Sequence, residues 1–278
     1  MCATCGCGDD GSTITVMSAR AKSRPDLPGH SHPHDHTHPH EHDHDHQDDH
    51  DGHVHTETIS LEQKVLAKND LLAEQNRKWL AERDIVAFNL TSSPGAGKTT
   101  LLERTIRDLV SHRPVAVIEG DQETLLDAER IKAAGARAVQ VNTGAGCHLD
   151  SDMVRRALEA LDPEPGSILF IENVGNLVCP ALFDLGELSK VVVISVTEGD
   201  DKPIKYPHMF AAAGLVIVNK TDLLPYVNFD LETCCAYVRS LNPGADILPM
   251  SATTGDGSAA WYEWIDVHAN SGYVPKTH

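Results

Sequence analysis

The 278-residue sequence lacks a long apolar run, an excess of basic residues and an N-terminal charged segment followed by an apolar core. A membrane-spanning helix needs about 20 mostly apolar residues, so no spanning segment is expected. A secretory signal needs the missing apolar core, so we expect a cytoplasmic protein. Lys and Arg total 23 against 41 Asp and Glu, and the formal net charge of −18 argues against binding to nucleic acid or an anionic membrane.

Histidine is concentrated in residues 30–55, which contain 12 of the 17 His, 7 acids and neither Lys nor Arg. So polar a tract cannot build a core and should be disordered. Its imidazoles can bind several Ni²⁺, Zn²⁺ or Cu²⁺ ions weakly, in competition with protons. We expect a metal store, and a solubilising tail is the alternative. The candidate ligands are His30, His32, His34, His36, His38, His40, His42, His44, His46, His50, His53 and His55.

Residues 1–29 form a predicted flexible arm that carries three closely spaced thiols, Cys2, Cys5 and Cys7. If Met1 is removed, the α-amine of Cys2 completes a set of one nitrogen and three sulfurs. Four close donors that can lie in one plane suit Ni(II), whereas Zn²⁺ prefers a tetrahedron. The arm is therefore a candidate nickel site, and a nonspecific thiol-rich arm is the alternative.

Residues 56–278 are predicted to form one α/β domain. A capping box at Ser60 predicts a helix near 60–82, with a buried stripe formed by Leu61, Val65, Leu72 and Trp79. Short Val/Ile/Leu-rich runs then alternate with helix-like segments, which indicates a mainly parallel sheet flanked by helices on both faces. Any ligand should lie beyond the carboxyl ends of the strands. The predicted strands are 85–91, 114–118, 136–141, 168–171, 191–196, 215–218 and 246–249.

The segment SSPGAGKTT (92–100) comes directly after a predicted strand and opens a helix. It matches the phosphate-binding pattern GxxxxGK[ST], except that Ser92 replaces the first glycine. Backbone amides would converge on phosphate oxygens, Lys98 would neutralise charge, and the Thr99 hydroxyl would bind Mg²⁺. The alternative is a glycine-rich turn without a ligand. The candidate nucleotide-binding residues are Ser93, Gly95, Ala96, Gly97, Lys98, Thr99 and Thr100.

The segment NKTD (219–222) follows another strand and indicates which base is bound. The Asp222 carboxylate can accept both N–H groups on one edge of guanine, whereas adenine offers no such pair, so GTP is the predicted nucleotide. Asn219 would brace the phosphate loop and Lys220 would cover the purine. Such a string alone is often a surface turn. The segment Ser251-Ala252 after the next strand supports the nucleotide interpretation.

Two acids at strand ends are candidates for magnesium binding and catalysis together with Lys98. Asp121 ends one predicted strand and Glu172 ends another, and the Gly175 amide can sense the γ-phosphate. The alternative for either acid is a helix cap.

A second candidate metal site combines Cys147, His148 and Cys179. Because Cys179 follows Glu172 by seven residues, nucleotide state could open or close this site. A buried structural cysteine is the alternative. Cys234 and Cys235 lie in a predicted helix and are interpreted as structural.

These features together resemble the HypB family of hydrogenase nickel-incorporation GTPases. The resemblance covers nearly the whole chain and rests on the CxxCGC-type start, the His tract, SSPGAGKTT, the Cys-His pair, ENVGNLVCP, EGDDKP, NKTD and SATTGDG. It implies a P-loop GTPase that delivers Ni²⁺ to the [NiFe]-hydrogenase large-subunit precursor, cooperates with the maturation factor HypA and forms a homodimer when GTP is bound. It further implies a tight site at Cys2, Cys5 and Cys7. Cys147, His148 and Cys179 would bind Ni²⁺ or Zn²⁺ at the dimer interface.

Two alternatives remain at this stage. One is a urease-accessory GTPase, although that family carries Cys-Pro-His where Cys147 and His148 are contiguous. The other is a nickel store with a degenerate GTPase domain. Hydrolysis should be slow, because no glutamine or arginine finger can be assigned.

Overall fold

A computed structural model describes residues 13–17, 54–121, 126–144 and 146–271. They form an eight-stranded sheet in the order β1-β4-β3-β5-β2-β6-β7-β8, in which β1 is antiparallel and the others are parallel. This arrangement confirms the predicted mainly parallel sheet. The strands are β1 Thr13–Met17, β2 Val86–Ser92, β3 Val115–Asp121, β4 Arg137–Asn142, β5 Ile168–Glu172, β6 Ser189–Ser195, β7 Leu215–Asn219 and β8 Asp246–Pro249.

Helices cover both faces of this sheet, as predicted, so the central strands are buried along their length. Helices α2, α3 and α8 pack on one face, and α1, α4, α6 and α7 pack on the other. The helices are α1 Val54–Ala81, α2 Lys98–Leu109, α3 Leu126–Ala134, α4 Ser151–Leu161, α5 Lys202–Lys205, α6 Pro207–Ala211, α7 Leu231–Leu241 and α8 Ser258–Asn270, with 3₁₀ turns at Cys179–Ala181 and Thr221–Tyr226.

Strand order brings the functional loops to one edge. Because the strands are parallel, their carboxyl ends lie side by side, and the order places β5 next to β2 and β7 next to β6. In the register, Leu90 pairs with Glu172, and Ser195 pairs with Asn219. The segments that follow β2, β5 and β7 therefore emerge together.

The prediction for α1 was wrong at its start and on its buried face. The helix begins at Val54, inside the tract that was predicted to be disordered through His55, so Ser60 is not its cap. Val65 is 38% exposed, Leu72 and Trp79 are half-buried, and the Leu61 side chain lies outside the described part. The buried positions are Asn69, Ala73, Asn76, Arg77 and Leu80. The side-chain amides of Asn69 and Asn76 hydrogen-bond to Ser151 at the start of α4 and to Asp184 and Leu185. A search for apolar side chains cannot detect such contacts.

Strand β1 was missed, because residues 1–29 were interpreted as one irregular arm. Its sequence, Thr-Ile-Thr-Val-Met, is rich in β-branched residues and signals a strand. Thr13 pairs with Asn142 and Ile14 packs against the core beneath α4. Cys2, Cys5, Cys7 and the His tract up to residue 53 lie outside the described residues. None of the helices within the described ranges is long and apolar enough to cross a membrane.

Candidate nucleotide and metal sites

Ser92, the residue that departs from the phosphate-loop pattern, positions Lys98. Lys98 opens α2, and its Nζ donates to Ser92 Oγ at 2.7 Å. Ser92 is fully buried at the end of β2. A glycine at this position has no side-chain oxygen, so here the serine hydroxyl positions the lysine.

Asn219, which ends β7, ties the phosphate loop to the loop after β8. Its Nδ2 donates to Ala96 O at 2.9 Å, and its Oδ1 accepts from Ala252 N at 3.0 Å. Gly97 has a φ of 97°, and a Cβ there would lie 2.6 Å from Asn219 Nδ2. Lys220 Nζ donates to Gly95 O at 2.8 Å. Glycine at position 97 therefore permits both the left-handed backbone and the close approach of Asn219.

The loop after β7 holds the Asp222 carboxylate against the loop after β8. Ser251 Oγ donates to Asp222 Oδ1 at 2.5 Å and accepts from Thr254 N at 3.1 Å. Arg104 of α2 donates to Ala252 O at 2.7 Å and to Thr253 O at 2.8 Å. The loops after β7 and β8, together with α2, therefore fix the position of the Asp222 carboxylate, which is the group predicted to recognise guanine.

Glu172 and Thr99, in the first turn of α2, bring together two oxygen atoms that could bind a metal ion. Thr99 Oγ1 donates to Glu172 Oε1 at 2.9 Å, and Glu172 is buried at the end of β5. Asp121 ends β3, as predicted, and its side chain lies outside the described part. A hydroxyl beside a carboxylate fits the oxygen ligands that Mg²⁺ prefers. Thr100 lies half-buried in the same turn of α2.

The segment after Glu172 packs against the phosphate loop. A Cβ at Gly175 would lie 3.3 Å from Pro94, so the two loops are in contact. On the other side, Lys202 Nζ donates to Ser93 Oγ at 2.9 Å and forms a 3.1 Å ion pair with Glu198. Residue-level reasoning did not single out Lys202, although it belongs to the EGDDKP segment that contributed to the family resemblance.

Cys147, His148 and Cys179 meet, although Cys147 and Cys179 are 32 residues apart. The two Sγ atoms are 2.9 Å apart and Cys147 Sγ is 3.6 Å from His148 Nδ1. Their ligand atoms all lie within 4.8 Å of one another, which is close enough to share one ion. Among the residues that the structure describes, this is the only such group of three or more His, Cys, Asp or Glu. We call it the metal cluster.

Sheet topology explains why the metal cluster forms. Cys147 and His148 follow β4, Cys179 lies beyond β5, and these strands flank β3. His148 is buried, with its ring centroid 4.0 Å from that of Phe183. Burial lowers the pKa of His148, and the nearby Asp150 carboxylate opposes this shift. A neutral imidazole is the form that binds a metal.

Cys234 and Cys235 behave as the sequence predicted. Both are buried in α7, and burial raises the pKa of Cys234 to about 12. A thiol with so high a pKa stays protonated, so it is a poor ligand and packs as a small apolar side chain.

Comparison with known proteins shows the family to which this chain belongs. Residues 86–249 match the CobW/HypB/UreG nucleotide-binding domain. Hydrogenase maturation factor HypB of Rhizobium leguminosarum bv. viciae is 57% identical over 211 residues, covering 76% of this chain and 71% of that protein. The HypB of Escherichia coli K12 is 48% identical over 285 residues, covering 96% and 98%. The crystal structure of HypB from Helicobacter pylori in complex with nickel has a TM-score of 0.71 at 35% identity, covering 76% of this chain and 99% of that one. The chain therefore belongs to the CobW/HypB/UreG family and, within it, to the HypB hydrogenase maturation factors.

Proposed function

We propose that this chain is a GTP-hydrolysing nickel metallochaperone that supplies Ni(II) for the maturation of [NiFe]-hydrogenase. The observation that carries the proposal is the course of residues 172–179. This segment begins at Glu172, which accepts from Thr99 of the phosphate loop, and ends at Cys179 of the metal cluster. One short segment thus joins a nucleotide site to a set of soft ligands. The nickel complex of a relative with the same fold supports nickel as the cargo.

At the nucleotide site, the reaction would convert GTP and water to GDP and phosphate. Thr99 and Glu172, together with Asp121, would hold Mg²⁺, which neutralises negative charge on the β- and γ-phosphates when it is bound. Lys98 would contact the same phosphates. Asp222 would select guanine, since a carboxylate left unpaired beside adenine loses free energy. The Gly175 amide, against Pro94, would sense the γ-phosphate.

The metal cluster would hold the cargo. Two thiols and an imidazole are donors that suit Ni²⁺ and Zn²⁺. The tight site at Cys2, Cys5 and Cys7 and storage on the His tract remain predictions, and all of these residues except His55, at the start of α1, lie outside the described part. We include HypA, the hydrogenase large-subunit precursor and a GTP-dependent homodimer as proposed partners.

In this mechanism, GTP loading assembles the dimer, and hydrolysis changes the geometry of the metal cluster and releases nickel. The test compares the Ni²⁺ affinity of the full chain with bound GDP and with a non-hydrolysable GTP analogue. We expect a difference of at least about fivefold, the lower end of typical coupling between sites. Equal affinities would contradict the mechanism, because a ligand without differential binding shifts no equilibrium.

A turnover assay distinguishes this proposal from a nickel store. A metallochaperone driven by GTP releases phosphate from GTP with Mg²⁺ and not from ATP. A storage protein binds many ions without releasing phosphate, and that result would replace the proposal.

A further inference from the structure

A buried polar chain connects the nucleotide loops to both segments that carry the metal cluster. Its members are Asn173, Asn89, Glu187 and Lys190, none of which is more than 6% exposed. Buried polar groups are normally satisfied, so each hydrogen bond in this chain constrains two segments relative to each other.

Asn173 directly follows Glu172, and its side chain joins three segments. Its Oδ1 accepts from Leu149 N at 3.1 Å and from Val174 N at 3.0 Å, while its Nδ2 donates to Asn89 Oδ1 at 3.4 Å. Leu149 directly follows His148. Val174 directly precedes Gly175, which lies against the phosphate loop. A single carboxamide oxygen therefore bonds one amide from the metal side and one from the nucleotide side.

The other end of the chain reaches the segment that carries Cys179. Asn89 Nδ2 donates to Glu187 Oε1 at 3.2 Å, and Glu187 Oε1 lies 3.8 Å from Lys190 Nζ. Lys190 Nζ donates to Pro180 O at 2.8 Å and to Phe183 O at 3.1 Å. Pro180 is the residue after Cys179. The segment with Cys147 and His148 and the segment with Cys179 are thus linked, through Asn173 and Asn89, to β5 and β2. These two strands end at the nucleotide loops.

We propose that Asn173 is a positioning residue that transmits nucleotide state to the metal cluster. A shift of the Val174–Gly175 segment toward or away from a γ-phosphate changes the hydrogen bond that Val174 N donates to Asn173 Oδ1. Because the same oxygen holds the amide after His148, that shift alters the placement of His148 and Cys147 relative to Cys179. This inference rests on the proposed function, since it presupposes that nucleotide and metal bind to the same chain.

Asn69 of α1 provides a matched control. It is also a buried asparagine, 5% exposed, that bonds both metal-bearing segments: its Nδ2 donates to Asp184 O at 2.8 Å, and its Oδ1 accepts from Ser151 N at 2.9 Å. Its bonds reach no residue of the phosphate loop or of Val174–Gly175. Loss of Asn69 should weaken the support of the metal cluster to the same degree in both nucleotide states.

The experiment measures Ni²⁺ affinity by chelator competition in the full chain with Cys2, Cys5 and Cys7 changed to Ser. Thiolate-to-nickel charge-transfer absorption then reports ligation by Cys147 and Cys179, because the His tract has no sulfur. Affinities are compared between GDP and the GTP analogue for this background, Asn173→Ala and Asn69→Ala. We expect the ratio of the two affinities to fall below about twofold in Asn173→Ala and to stay at the background value in Asn69→Ala.

An unchanged ratio in Asn173→Ala would overturn the role of Asn173 and leave nucleotide control of nickel intact. Collapse of the ratio in Asn69→Ala as well would also overturn it, because general support of the metal cluster would then explain the effect. Equal affinities in the background chain would overturn the proposed nucleotide control itself and Asn173 with it. If Asn173→Ala does not fold, Asn173→Leu provides the same test, because it keeps the side-chain volume and removes the oxygen shared by Leu149 N and Val174 N.

Discussion

The nucleotide site and the metal cluster are built in different ways. The nucleotide site uses a contiguous loop, 92–99, whose main-chain groups are tied by Asn219 and Lys220. The metal cluster uses side chains from two loops, which are supported by amides on α1 and at Asn173. Substitutions at one site should therefore leave the other site intact unless they reach the polar chain between them. The Lys98 and Cys179 predictions below break one site and use the other as the readout of specificity, and the Asp222 and Gly97 predictions compare paired variants within the nucleotide site.

Replacing Lys98 with Ala should have the largest effect. Removing the cation that contacts the phosphates should lower GTP turnover by about 100-fold or more, the size seen when a transition-state hydrogen-bond donor is lost. Phosphate release measures turnover. Nickel affinity at the metal cluster, measured without nucleotide, should be unchanged, and Lys64→Ala on the exposed face of α1 is the control. Joint loss of turnover and nickel would contradict the separation of the two sites.

Replacing Asp222 with Asn tests base recognition. The charged acceptor is lost, so affinity for GDP should fall about 10- to 100-fold, as expected for hydrogen bonds to a charged group worth about 1.5–3 kcal/mol. Calorimetric titration measures it. Ser251→Ala keeps the carboxylate and removes its 2.5 Å partner, so it should have a smaller effect. Equal losses of GDP affinity would mean that guanine recognition depends on how the loop holds Asp222 and not on the charge of Asp222.

Replacing Cys179 with Ser breaks the metal cluster and leaves the nucleotide site in place. Loss of a thiolate should lower Ni²⁺ affinity by at least the ~10-fold that follows removal of a group supporting a metal ligand. Metal-free GTP turnover should be unchanged. Cys235→Ser in α7, away from the metal cluster, is the matched control and should keep nickel affinity. Similar losses in both variants would mean that thiol number, not geometry, determines binding.

Replacing Gly97 with Ala should have the smallest effect and should act on stability. A side chain at a φ of 97° and 2.6 Å from Asn219 Nδ2 should lower the free energy of unfolding by about 1–3 kcal/mol. Urea denaturation measures this change. Gly95→Ala has a φ of 76° with nothing within 4 Å of the added Cβ, so it carries the backbone strain without the clash. Equal destabilisation would show that contact with Asn219 contributes nothing.

Sequence reasoning worked best where the information is local. The apolar runs that predicted β5 and β7 are buried on both faces, and each strand ends within one residue of its predicted end. The placement of SSPGAGKTT between a strand and a helix was also correct. Local patterns suffice here because a buried parallel strand and a glycine-rich strand-to-helix turn depend on neighbouring residues.

Reasoning failed where a polar side chain is buried against a distant backbone group. Asn69 and Asn76 face the core, whereas Val65 of the predicted stripe is exposed. Composition treats asparagine as a surface residue, and only its partners, Ser151, Asp184 and Leu185, explain its position. The bond from Lys98 to Ser92 and the role proposed for Asn173 were missed for the same reason.

The sequence by itself determined the class of fold, the order of the loops along the chain and the chemistry that each loop can offer. Hydrophobic periodicity and turn-forming residues act over a few positions, so they can be recognised without a structure. Only the tertiary structure decided which loops meet. The placement of β3 between β4 and β5 brings Cys147 to Cys179, and the buried amides of Asn69 and Asn173 each acquire a partner more than 80 residues away. Those contacts depend on strand order, which no short stretch of sequence encodes.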